Sequence, residues 1–123
     1  MEDDSRKIVD AAVKCAHEKK GFDVTIMDMK EVTHLCDYFV IVSAMSRPQA
    51  KAIAEHIEVT LKEELGLSEK KIQGKLDGSW VLIDYGTVVI HVFLENLRQF
   101  YDLEGLWNRA RQERPQPLPA KAI

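Results

Sequence analysis

The sequence predicts one α+β domain with its helices gathered mainly on one face of a small β-sheet, and three observations predict it. Apolar residues recur at helical spacing in two separate stretches, along Ile8, Ala12 and Cys15 and along Ile53, Ile57 and Leu61. Short β-branched and aromatic runs lie between and after them. The resulting order is helix, strand, strand, helix, then a hairpin and terminal helices, without an internal repeat or a linker. A chain of 123 residues, 46% hydrophobic and 30% charged, has the length for one core and the composition of a soluble globular protein.

Taken in order, Ser5 is placed to cap the first helix, Val9 and Ala16 flank its apolar stripe, and Gly21 is expected to end it. Residues 22–29 alternate, with Phe22, Val24 and Ile26 on one side and Asp23, Thr25 and Met27 on the other, as a half-buried strand does. Residues 30–36 read as a loop. Residues 38–42 form a continuous run of the kind that is buried on both faces. Ser46 opens the second helix as a capping box with Gln49, and Pro48 suits the first turn because its missing N–H costs little there. Ala50 and Ala54 lie beside the stripe of that helix, and Gly66 is placed to end it in the left-handed conformation. Residues 72–75 suggest a short edge strand, and Asp77-Gly78 is a turn signal.

Trp80–Asp84 and Val88–Leu94 are strand-like runs meeting at Tyr85-Gly86, where the glycine supplies the positive φ of a tight hairpin. With those two residues as the loop, Asp84 faces Thr87, Leu82 faces Val89 and Trp80 faces His91. One flank is then wholly aliphatic: Val81, Ile83, Val88, Ile90 and Val92. Each of these side chains contributes about 1.5–3 kcal/mol when fully buried, so this flank belongs under the helices. The other flank mixes Trp80, Leu82, Asp84, Thr87, Val89 and His91, whose polar groups a dry core would have to satisfy singly. It reads as a partly exposed surface, on which Trp80 fits either a core indole or an interface anchor.

Glu95 or Asn96 starts a short helix containing Arg98, Phe100 and Tyr101; Leu103, Leu106 and Trp107 supply further apolar contacts, and Phe100, Leu106 and Trp107 at helical spacing are expected as core or subunit contacts. The domain is expected over residues 1–111. Residues 112–123, which include Pro115, Pro117 and Pro119, are expected to be an extended or disordered tail.

Charge and cysteine usage exclude several function classes. A net charge of −3 and a pI near 5.8 give no positive field to attract a phosphate backbone, so little direct nucleic-acid contact is expected. Cys15 and Cys36 form no CxxC pair and read as reduced cytosolic thiols. Residues 1–7 lack a signal-peptide apolar run, and no stretch approaches the roughly 20 apolar residues that span a bilayer, so a cytoplasmic location away from membranes is expected.

Catalytic readings are thin. His34, Cys36 and Asp37 are metal-ligand types, yet no second cluster completes a zinc site. A Cys36 nucleophile with His34 as base is disfavoured because alternate residues of an extended segment project apart. Nucleotidyl transfer needs clustered carboxylates for divalent metals, whereas Gly78-Ser79 is followed by Asp84 with Leu82 two positions before it, so no DxD pair forms. No cofactor or metal is assigned.

Asp37-Tyr38-Phe39-Val40-Ile41 with Ser46 and Gln49, then Gly78-Ser79-Trp80-Val81-Leu82-Ile83-Asp84-Tyr85-Gly86, His91-Val92-Phe93, and Arg98, Phe100-Tyr101, Leu103-Glu104 and Leu106-Trp107 together resemble the Iojap, or ribosomal silencing factor (RsfS), family. The resemblance implies a mixed-sheet α/β fold related in topology to nucleotidyltransferases. It also implies a non-enzymatic translational repressor that docks on the fourteenth protein of the large ribosomal subunit, blocks subunit joining, and damps translation when nutrients are short. A metal-dependent nucleotidyltransferase-like enzyme and a generic dimeric interaction module stand as the alternatives. On the mixed flank the resemblance makes Trp80 the anchor, with Leu82 and His91 as patch members. Asp84 and Arg98 become charged contacts at the rim, and Tyr85 and Tyr101 its amphipathic edge. A homodimer of the free protein would use the same patch.

Overall fold

The computed structural model describes residues 4–117. Helix α1 (Asp4–Glu18) leads into β1 (Phe22–Asp28) and β2 (Tyr38–Ala44), and α2 (Arg47–Leu65) follows. Next come β3 (Lys71–Gln73), β4 (Trp80–Asp84) and β5 (Val88–Leu94), then α3 (Glu95–Tyr101), α4 (Leu103–Leu106) and β6 (Arg111–Glu113). The sheet order is β3-β4-β5-β2-β1-β6. Only the β2–β5 pairing is parallel, which makes the sheet mixed, as expected. No helix among the described residues is long and apolar enough to cross a membrane.

α1 and α2 cover one face of the sheet. The stripes Ile8, Ala12 and Cys15 of α1 and Ile53, Ile57 and Leu61 of α2 are buried against Val40, Val42, Val81, Ile83, Val88, Ile90 and Val92. α2 begins as its sequence predicts, with the Gln49 amide donating to Ser46 Oγ at 3.2 Å. The reciprocal bond differs by one residue, since Gln49 Oε1 accepts from the N–H of Met45 at 2.7 Å and not from that of Ser46. Gly66 ends the helix at φ 67°.

The first helix departs from expectation at both ends. Ser5 lies inside α1, buried, and its hydroxyl donates to Asp37 Oδ2 at 2.9 Å, tying the helix to the start of β2 instead of capping it. Lys20, not Gly21, takes the left-handed turn. Gly21 is required for space, because a Cβ there would stand 2.6 Å from Val42 Cγ1.

The hairpin loop is Gly86-Thr87, one residue later than expected, with Tyr85 N–H bonded to the Val88 carbonyl at 2.9 Å. Only Gly86 has positive φ, the requirement of a type II′ turn. Asp84 therefore faces Val89, Leu82 faces His91 and Trp80 faces Phe93. Each partner has moved by two positions, so every side chain keeps its predicted face. The aliphatic flank is completely buried.

The second sheet face is less open than expected. Strand β1 is not half-buried, since Val24, Thr25, Ile26 and Met27 are all covered. A second core of Met27, Met29, Cys36, Ile41, Phe93 and Ala110 lies on this side, with Leu97, Leu103 and Trp107 packed against it. The tail contributes too: Gln112 and Glu113 belong to β6, paired with β1, and Arg6 holds Glu113 through a bidentate contact at 2.8 and 3.0 Å. The expected tail thus begins with ordered strand, and residues 118–123, with Pro119, lie outside the described ones.

Arg98 locks this arrangement. It is buried, not at a rim. Its guanidinium donates to both carboxylate oxygens of Glu104, to Ser43 Oγ, to Thr25 Oγ1 and to the carbonyl of Asp23, using all five of its N–H groups. Asp23 has φ 49° at the bulge where the β1–β2 register slips, so the arginine fastens α3 and α4 to that irregularity. Burial pushes the Glu104 carboxyl up, but the Arg98 hydrogen bonds and charge outweigh it and leave the group below its usual range.

Two outcomes test this packing. Arg98→Leu is expected to lower unfolding free energy by about 3 kcal/mol or more, because it removes both hydrogen bonds to the Glu104 carboxylate and leaves it only Arg114 at 3.8 Å, and Arg98→Lys should not restore it, since a point charge cannot fill a fork. Denaturant unfolding checks both. Val88→Asp places an unpaired charge beneath the helices and should cost at least about 4 kcal/mol, abolishing the cooperative thermal transition.

Candidate protein-interaction surface

Strand alternation brings Trp80, Leu82, Asp84, Val89 and His91 to the face away from α1 and α2. Trp80 is partly exposed and held on three sides. Its indole stacks on Phe93 at 4.6 Å between centroids, lies 4.8 Å from the Tyr101 ring, and donates its Nε1–H to His91 Nδ1 at 3.1 Å. That donation fixes the imidazole tautomer, because a nitrogen that accepts carries no hydrogen, so His91 Nε2 holds the proton. Among the described residues Nε2 has no hydrogen-bond partner.

His91 is buried, not at the surface of the patch. The Phe39 ring meets it edge-on at 4.8 Å, and burial pushes the imidazole down from 6.5 to about 4. Neutral at physiological pH, it serves as the acceptor that orients the indole.

Leu82 and Val89 are half-buried and line a groove of about 350 Å³ with Phe39, Leu35 and Trp107. Leu35 at its wall is 85% exposed. On the α3–α4 side Phe100 is 78% and Leu106 70% exposed, so these two are not core contacts. Tyr101 is exposed beside the indole. Large side chains are thus left in water at the groove wall and along α3 and α4, and Trp80, packed on the second core, meets the latter through Tyr101. Sequence reasoning missed Leu35, Phe39 and Trp107 as groove walls. For Phe39 the signal was present, since alternation in β2 puts it on the open side.

Two expected patch residues lie elsewhere. Tyr85 is packed in the helix-side core, because it continues the inward phase of β4 when the loop shifts to Gly86-Thr87. Arg98 is consumed by its internal contacts. Asp84 stays at the groove, where its Oδ1 accepts from Gly86 N–H at 2.7 Å and braces the turn.

Of the residues weighed for catalysis, Asp37 and Cys36 are engaged structurally, and His34 is exposed. Asp37 accepts from Ser5. The Cys36 thiol is pushed up to about 11 by burial and by the charges of Asp37 and Asp84, the opposite of an activated nucleophile. Both cysteines are free thiols.

A family model described as "Ribosomal silencing factor during starvation" matches residues 2–122. The chain belongs to the ribosomal silencing factor family. A ribosomal silencing factor of Bacillus subtilis is 36% identical over 105 residues, 85% of this chain and 88% of that protein. A mouse protein named for mitochondrial assembly of the ribosomal large subunit is 30% identical over 101 residues, 80% of this chain and 44% of its own length. A crystal structure of a Chromobacterium violaceum protein superposes with a TM-score of 0.81 at 32% identity, covering 94% of this chain and 92% of that one. The silencing-factor relatives are named for regulation, not for catalysis, and the family names imply a role at the ribosome.

The buried imidazole sets a pH dependence for this silencing-factor domain. A histidine whose folded value lies below its unfolded value withholds a proton that the unfolded chain binds, so its contribution is flat above pH 6.5 and stability falls between 6.5 and about 4. The expected slope is about 1.4 kcal/mol per pH unit for this one group. In His91→Phe that part of the acid limb should disappear; denaturant midpoints measured from pH 7 to 4 check it.

Proposed function

We propose that this chain binds the large ribosomal subunit through the open face of its sheet and keeps the small subunit from joining it. The partner is the fourteenth protein of the large subunit, at the surface where the subunits meet, and the outcome is repression of translation in the cytoplasm under nutrient stress. The observation that carries the reading is the partly exposed Trp80 indole, held by His91, Phe93 and Tyr101 on the same sheet face as the groove lined by Leu82 and Val89. Aromatics in that setting dominate interface energetics. The net charge of −3 favours a protein contact over a phosphate one. The mouse relative's name, which refers to the large subunit, supports the choice of subunit. Blocking is steric, so no reactive group is needed.

Free in solution, the same surface is open to a second copy, a reading favoured by the exposure of Leu35, Phe100 and Leu106. A homodimer would then compete with the ribosome for the patch.

Co-sedimentation with purified large subunits tests the proposal. The unaltered chain should pellet and lower the yield of joined ribosomes, and Trp80→Ala should bind about 30-fold more weakly, the equivalent of about 2 kcal/mol. Leu82→Asp, at a half-buried groove position, should weaken binding while circular dichroism stays native. Pelleting unchanged in both variants, or magnesium-dependent nucleotide turnover by the chain, would defeat the reading.

A further inference from the structure

A separate constellation lies on the helical layer, away from the sheet's open face. Cys15 and Glu18 stand three residues apart on α1 and so share a face, and His56 reaches them from α2. Among the described residues these are the one trio of histidine, cysteine and carboxylate groups whose donor atoms converge, all within 4.8 Å of one another. His56 Nε2 and Glu18 Oε1 are already 2.8 Å apart.

We propose that Cys15, Glu18 and His56 form a binding site for a divalent transition metal of the zinc class, clamping α1 to α2. Zinc bonds of about 2.3 Å to sulfur and about 2.0–2.1 Å to nitrogen and oxygen place tetrahedral ligands roughly 3.3–3.6 Å apart. The ion therefore enters by parting the His56–Glu18 pair slightly and drawing the thiol in by about an ångström. A thiolate, an imidazole and a carboxylate together suit zinc or cobalt and disfavour magnesium and calcium, which take all-oxygen shells. Water completes the fourth position.

Access and charge fit the same reading. The Cys15 thiol is buried, but the His56 and Glu18 side chains are 28% and 49% exposed, so the ion arrives from their side. Thr60 and Glu64 follow His56 at four-residue steps along α2, so one stripe of that helix carries all three. The thiol donates to the His56 carbonyl at 3.9 Å, and the Glu64 carboxylate is close enough for its charge to act on it, which adds to the attraction for a dication.

On binding, Cys15 releases its thiol proton to solvent, His56 coordinates through Nε2 with its hydrogen on Nδ1, and Glu18 exchanges the imidazole for the metal. One proton leaves per ion, so affinity should fall about tenfold per pH unit on acidification while the thiol remains the group that titrates. The ion would close the helix layer without touching Trp80, so large-subunit binding should be unaffected by zinc. This separates the proposal from the reading of the open face.

Cobalt(II) titration of the full chain tests it. One equivalent should produce a near-ultraviolet thiolate-to-cobalt band with tetrahedral visible bands, zinc should displace it, and zinc should raise the melting temperature by several degrees. Cys15→Ala should abolish the thiolate band, and Cys36→Ala should keep it. His56→Ala, at a surface-accessible position that leaves the fold intact, should weaken zinc at least tenfold. No thiolate band, a band that survives in Cys15→Ala, or unchanged zinc affinity in His56→Ala would each overturn the proposal.

Discussion

Successive side chains of a strand point to opposite faces, and in this protein that alternation commits β4 and β5 to two different solvents. Once Val81, Ile83, Val88, Ile90 and Val92 are beneath α1 and α2, their neighbours Trp80, Leu82, Val89 and His91 have only the other face to occupy. The turn protects this commitment. Gly86 opens a two-residue loop, and moving such a loop by one residue moves every pairing by two, which preserves the faces. An odd change in pairing would have put the aliphatic flank in water and the imidazole under the helices.

The second face gains its shape from a buried ion pair. Removing a guanidinium and a carboxylate from water is costly, and the Arg98–Glu104 pair is tolerable because each donor of the arginine finds an acceptor in a backbone bulge, two hydroxyls and a bidentate carboxylate. Its structural consequence is position. α3 and α4 are fixed over the β1–β2 end of the sheet, where Leu97, Leu103 and Trp107 close the second core. Tyr101, at the end of α3, is thereby brought against the indole, and the β4 side of the sheet is left uncovered.

What could be read from the residues alone was what depends on local pattern. Both long helices, the capping residues of α2, the hairpin and its two faces follow from periodicity and turn chemistry, which act within a few positions along the chain. What was illegible depends on partners far away. Ser5 looks like a cap until Asp37, distant in sequence, accepts its hydroxyl. Arg98 looks like a rim charge until Thr25 and Ser43 fold against it. Gln112 and Glu113 look like a tail because nothing local says that β1 has a free edge. Tyr85 was misplaced by a single residue of loop position. Cys15, Glu18 and His56 belong to two helices and converge only when these pack, so no spacing motif announces them.

The tryptophan and the histidine beneath it divide one task. An exposed indole on a flexible surface samples several rotamers, and a partner must freeze them at a cost of about 0.5–1.5 kcal/mol for each immobilised side chain. Here the ring is already oriented by the His91 acceptor and wedged between Phe93 and Tyr101, so that ordering has been accomplished in folding. The histidine can do this only while neutral, because protonation would turn Nδ1 into a donor facing another donor. Burial beside Phe39, which keeps the proton off, therefore preserves the acceptor that orients the indole, and the Trp80 ring owes its fixed position to a group that no partner needs to touch.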